Sequence, residues 1–138
     1  MKQTSSAKAA ILVVDDTPEN IDVLRGILGA DYAIKIANSG QLALKVAAAQ
    51  PPDLILLDVM MPGMDGYETC RQLKSGEATR NIPVIFVTAR GETEDEVQGL
   101  ALGAVDYLTK PVVPAIVKAR VQTQLALRQA RRELEEKT

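Results

Sequence analysis

Three short runs of this chain, ILVV at 11–14, LILL at 54–57 and VIFV at 84–87, contain no polar residue. A strand with one wet face alternates polar and apolar side chains, whereas a strand covered on both faces does not need to. Between these runs lie stretches with helical spacing. Ile21, Leu24 and Leu28 follow the first run, behind Thr17 as N-cap and Pro18 at the first helical position, with Gly29 as the stop. YAIKIA at 32–37 alternates weakly, like a more exposed strand. Ser39 caps a second helix carrying Leu42, Val46 and Ala49, which Pro51 and Pro52 end. Asp65 and Glu68 resemble a capping box ahead of a third helix with Tyr67, Cys70 and Leu73 on one stripe. Thr93 and Glu96 open a fourth, carrying Val97, Leu100 and Ala101 and halting at Gly103. VDYL at 105–108 is a short fifth strand, ended by Thr109-Lys110-Pro111, and a last helix begins near Val113 or Pro114. Five strands alternating with five helices through short links predict an α/β fold with a parallel sheet covered on both faces.

At 138 residues, 46% hydrophobic and 25% charged, the chain reads as one globular domain. A net charge of −2 gives no basic field for direct nucleic-acid binding. No histidine is present, so histidine ligands and bases are excluded. The single cysteine, Cys70, allows no internal disulfide, fits a reducing compartment and reads as a small core residue. Neither a signal-peptide segment nor a membrane-spanning run is visible, so the expected location is cytoplasmic, with no membrane partner.

Open parallel sheets bind ligands beyond the carboxyl ends of their strands. The residues just past those ends are Asp15, Asp16, Asp58, Thr88 and Lys110. Taken singly, Asp16 reads as a turn residue and Asp58 as a strand terminator. Together, carboxylates about 5 Å apart at an effective dielectric near 20 repel by about 3 kcal/mol per pair. A hard divalent cation relieves that cost, and an all-oxygen donor set suits Mg²⁺. Lysine suits a phosphoryl oxygen and threonine offers a hydroxyl, so the rim reads as a phosphoryl site. Neither a P-loop nor a G-x-G-x-x-G fingerprint supports a nucleotide. The acceptor is then one of the site's own aspartates; Asp58 stands alone on its strand end, while Asp15 and Asp16 form a pair suited to metal.

ILVVDD at 11–16, LILLDVMMPGMDG at 54–66, PVIFVTA at 83–89 and GAVDYLTKP at 103–111 resemble the receiver domains of two-component response regulators. The resemblance covers residues 9–125 and leaves 126–138 as an extension of the last helix. It implies a flavodoxin-like doubly wound sheet of order 2-1-3-4-5. It also implies that Asp58 accepts phosphate from a phosphohistidine on a sensor histidine kinase or phosphotransfer protein. Asp16 and Asp58 would ligate Mg²⁺ directly, Asp15 through water, and Met60 through its backbone carbonyl. Lys110, whose bond to Pro111 is often cis in such domains, would pair with Asp58 and then with the phosphoryl group. Thr88 would move to that group and Tyr107 would turn inward with it, while Ala89 keeps the approach open. Glu19 and Met64 line the rim, Gly63 and Gly66 serve the turn and the helix start, and Met60 and Arg90 are candidates to tune the phosphate's lifetime.

The expected function is a phosphorylation-switched signalling domain, not an enzyme acting on outside substrates, in which phosphorylation changes the surface of the fourth helix, fifth strand and fifth helix. A phosphohydrolase of the haloacid-dehalogenase type needs a second acid two positions past the nucleophile, where this chain has Met60. A degenerate receiver that only binds a partner would have lost an acid, Lys110 or Thr88. The segment from Pro114 onward lacks glycine and predicts a helix of about 25 residues, roughly 37 Å long. Val113, Val117 and Val121 suit its sheet-facing side. Leu127, Ala130 and Leu134 fit a short a/d seam, which points to a homodimer on phosphorylation or a link to an output domain or effector, such as the cyclic-nucleotide enzymes that follow some receivers. The alternative is a solvated helix with Arg128, Arg131 and Arg132 paired to Glu133, Glu135 and Glu136.

Overall fold

The computed structural model describes residues 8–89 and 99–137. Five parallel strands, β1 (Ala10–Val14), β2 (Ala33–Ala37), β3 (Leu54–Asp58), β4 (Val84–Ala89) and β5 (Asp106–Lys110), form one sheet in the order β2-β1-β3-β4-β5. The helices are α1 (Pro18–Leu28), α2 (Gly40–Ala49), α3 (Gly66–Ser75) and a C-terminal helix (Pro114–Lys137), with residues 99–101 ending another before β5. The expected topology and the elongated last helix are both present. Thr93, Glu96, Val97 and Arg90 lie outside the described residues.

The solid runs divide between two cores by parity. Leu12, Val14, Ile55, Leu57, Val84 and Phe86 pack under α2 and α3. Their neighbours Ile11, Val13, Leu54, Leu56, Ile85 and Val87 pack under α1 and the C-terminal helix. Alternate side chains of a strand leave opposite faces, so a strand with two covered faces has no position for a polar residue. The same parity sends Asp15, Asp58 and Lys110, at the strand ends, toward α1.

Small residues set the packing of α2. The sequence pointed to Leu42, Val46 and Ala49, but the buried positions are Gly40, Ala43 and Ala47, and Leu42 is exposed. A Cβ on Gly40 would stand 2.2 Å from Thr69 Oγ1, so close approach to α3, not side-chain size, decides which face turns inward. Likewise Leu100 and Ala101 face solvent, whereas Gly99 meets the Phe86 ring, which an added Cβ would approach to 2.5 Å. Cys70 is fully buried in the core, and burial pushes its thiol above the ordinary range, leaving it a poor nucleophile.

Val117 and Val121 are fully buried against the sheet as expected, but Val113 is 49% exposed. It precedes the helix, and its carbonyl accepts the N–H groups of Ile116 and Val117. Farther along, Arg128 pairs across the fold instead of within its helix. Its guanidinium lies 3.0 Å from Asp53 Oδ1 and 3.3 Å from the Pro52 carbonyl, while Asp53 Oδ2 accepts the Ala10 N–H at 2.7 Å. This fastens the helix to the sheet's N-terminal edge, opposite the acidic rim. Leu127 and Leu134 stay 59% and 67% exposed.

Candidate functional site

The rim is built where β1, β3 and β5 end. Thr17 occupies the N-cap position of α1 with Pro18 in the first turn, yet its hydroxyl makes no capping bond. Instead Asp15 Oδ1 accepts the Thr17 N–H at 2.9 Å, so the β1–α1 turn is closed by the acid itself. The Asn20 amide, from α1, reaches the same oxygen at 3.4 Å. Asp15 is 2% exposed and Asp58 is 4% exposed, while Asp16 faces solvent and makes no hydrogen bond or ion pair with the described residues. Even so, one carboxylate oxygen from each of Asp15, Asp16 and Asp58 lies within 4.8 Å of the others.

Asp58 is held in place from α3. Gly66 begins that helix, its N–H donates to the Val59 carbonyl at 2.9 Å, and a Cβ there would stand 2.2 Å from the Asp58 carbonyl oxygen. Only glycine permits this approach. The turn before it contains Gly63, at φ +75°, and Asp65, whose carboxylate caps α3 at the Glu68 N–H. Glu68 does not complete the box; its carboxylate pairs with Arg71 and Gln72.

Lys110 is the last residue of β5, in register with Ala89, not a residue beyond the strand as its sequence position suggested. Its Nζ stands 3.1 Å from Asp58 Oδ1 and 3.5 Å from Asp15 Oδ2. One ammonium thus pairs with two almost fully buried carboxylates, while the third acid of the cluster, Asp16, makes no ion pair with it. Burial pushes the Asp58 carboxyl above the ordinary carboxylate range; the Lys110 hydrogen bond pulls it down, and the charge of Asp15 pushes it up again. The donor set therefore keeps an uncompensated negative charge and consists wholly of oxygen, which fits a hard divalent ion. The Lys110–Pro111 peptide is cis.

Thr88 is buried, and its hydroxyl lies 3.2 Å from the Ala89 carbonyl. By strand alternation it shares a face with Phe86 and Tyr107, and Phe86 stands in register with Tyr107. Tyr107 is half-buried. Arg120, from the C-terminal helix, donates to its carbonyl at 2.6 Å, lies 5.6 Å from its ring centroid and pairs with Asp106 at 3.1 Å. Met60 is 74% exposed beside the rim. A cleft of about 440 Å³ opens next to Asp15 and Lys110, floored by Val23, Leu24, Val87 and Val112. Asn20 and Arg120 were not singled out from the sequence; an asparagine in a first helical turn and an arginine in a charge-rich helix give no distinguishing signal.

A doubly wound α/β domain with three acids and a lysine converging past its strand ends is the class that fold and rim define. The chain belongs to the response regulator receiver domains, whose family model matches residues 11–122. It is 49% identical over 116 residues to the response regulator PleD of Caulobacter vibrioides, covering 83% of this chain and 26% of that protein. It is 46% identical over 125 residues to a protein of Vibrio cholerae serotype O1 named "Probable cyclic di-GMP phosphodiesterase", covering 91% of this chain and 28% of that one. The chain thus spans about a quarter of the length of these relatives. The receiver domain of the sensor histidine kinase PA1611 from Pseudomonas aeruginosa PAO1, solved with a magnesium ion coordinated in its active-site cleft, superposes with a TM-score of 0.81 at 32% identity, covering 87% of this chain and 99% of that one. Among the described residues no helix is long and apolar enough to cross a membrane.

Proposed function

We propose that this receiver domain takes a phosphoryl group onto Asp58, in a Mg²⁺-dependent transfer from a histidine kinase or phosphotransfer protein, and that the modified state presents a changed protein-interaction surface. The observation that carries this reading is the convergence of three carboxylate oxygens within 4.8 Å beside an ammonium 3.1 Å from Asp58.

Asp15, Asp16, Asp58 and the Met60 carbonyl would hold the ion, Asp15 through water. The ion would supply neutralisation of charge on the transferring group. An Asp58 carboxylate oxygen attacks phosphorus as the donor's P–N bond breaks, giving an acyl phosphate and a free imidazole. Lys110 already neutralises the nucleophile's side of the site and follows the charge onto the phosphoryl oxygens. Thr88 turns its hydroxyl from the Ala89 carbonyl to the new group. Tyr107, one diagonal away on the same face, follows it and leaves Arg120, which connects the change to the C-terminal helix. Leu127 and Leu134, exposed and seven residues apart, offer the start of a seam to a second copy or an output domain. The relatives named for cyclic di-GMP hydrolysis and as a response regulator support an output domain beyond the extension at 126–138.

Incubation with acetyl phosphate and Mg²⁺ should add one phosphoryl group to the intact mass, and chelation of the metal should prevent it. Steady turnover of p-nitrophenyl phosphate would instead show an enzyme acting on outside substrates and would overturn the reading.

A further inference from the structure

The two oxygens of Asp15 stand in different surroundings. Oδ1 accepts the Thr17 N–H at 2.9 Å and faces the Asn20 amide nitrogen at 3.4 Å. Oδ2 is turned to the site, 3.5 Å from the Lys110 ammonium. Asp16 is exposed and keeps both of its oxygens unengaged by the described residues. Asn20 also lines the cleft beside the rim.

We infer that Asn20 is a positioning residue that sets which divalent cation the acid cluster accepts. The inference rests on reading that cluster as a cation site. By occupying Oδ1 together with the Thr17 N–H, Asn20 leaves Asp15 a single oxygen, Oδ2, to offer to a water on the ion. The protein then supplies few ligands, and the rest of the coordination shell stays water. Mg²⁺ tolerates this arrangement: it demands near-octahedral geometry and dehydrates reluctantly. Ca²⁺ takes about 6–8 oxygens and favours carboxylates that bind through both oxygens. Asp15 can turn to that mode only by giving up both donors to Oδ1, which then lose the bonds they make to it. Asparagine suits the task because its amide donates without adding charge. An aspartate at 20 would add a fourth acid and repel the one it should hold.

Calorimetric titration of the full chain with MgCl₂ and, separately, with CaCl₂ tests this in the wild type, Asn20→Ala and Asn20→Asp. The wild type should prefer Mg²⁺. Asn20→Ala should narrow the Mg²⁺-to-Ca²⁺ affinity ratio by about 3- to 10-fold, the range one long side-chain hydrogen bond carries. Asn20→Asp should narrow it further while strengthening divalent binding overall. Melting curves without metal should show both variants folded. A wild type that takes up Mg²⁺ while both variants keep its ratio would sink the role of Asn20 alone, as would a wild type that prefers Ca²⁺. A wild type that takes up neither ion would remove the cation site and this inference with it.

Discussion

Asp58→Asn is expected to take up no phosphoryl group from acetyl phosphate and, without divalent ions, to melt several degrees higher than the wild type. The first effect follows from chemistry: an amide is a poor nucleophile and yields no acyl phosphate. The second follows from the buried charge. The Asp58 carboxyl is raised above 3.8, first by burial, against the Lys110 hydrogen bond, and then by Asp15. The folded state therefore binds its proton more tightly than the unfolded state. Below the unfolded value both states are protonated and the group costs nothing. As pH rises through the folded value, the carboxyl must ionise where ionisation is unfavourable, and stability falls. Above the folded value the cost is fully present, and asparagine removes it. The gap between variant and wild type should close as the pH is lowered toward 4, and should shrink at neutral pH when Mg²⁺ is added. Calorimetric melts from acid to neutral pH check this; a gap that widens toward acid would reverse the sign of the argument.

Gly66→Ala should be the most damaging single-methyl substitution near the site. The added Cβ would stand 2.2 Å from the Asp58 carbonyl oxygen and 2.8 Å from Val59 Cα, and both of those atoms are backbone. No side chain can rotate away, so α3 must retreat from the end of β3 and stretch the bond from the Gly66 N–H to the Val59 carbonyl. Overpacking of this kind costs about 1–3 kcal/mol, and backbone against backbone belongs at the upper end. Urea unfolding should show that loss, and calorimetry should show weaker Mg²⁺ uptake because Asp58 moves with its strand. Gly26→Ala, in α1 with nothing within 4 Å of the new methyl, should gain about 0.5–1 kcal/mol from helix propensity. Equal effects at the two glycines would contradict the packing account.

The sheet and the rim were legible in the sequence for one reason. Apolar runs without alternation declare strands buried on both faces, and the fold rule for such sheets then brings Asp15, Asp58, Thr88 and Lys110 to the same end. Facing of α2 was not legible, because Gly40, Ala43 and Ala47 bury by letting backbones approach, a virtue that hydrophobicity does not register. Val113 continued the valine spacing but precedes the helix that would have turned it inward. The Asp53–Arg128 pair joins residues 75 apart in sequence, so local charge patterning assigned Arg128 to partners within its own helix. Asn20 escaped notice because its meaning depends on which Asp15 oxygen it meets, and only coordinates show that.

Locating the phosphoryl group tests the account most directly. The chain is labelled with acetyl phosphate and Mg²⁺, the acyl phosphate is reduced with borohydride, and the altered residue is identified by peptide mass spectrometry. The account predicts a single modified position, Asp58, and no modification when Mg²⁺ is chelated. Modification at Asp15 or Asp16, or labelling of Asp58 that persists without the metal, would contradict it.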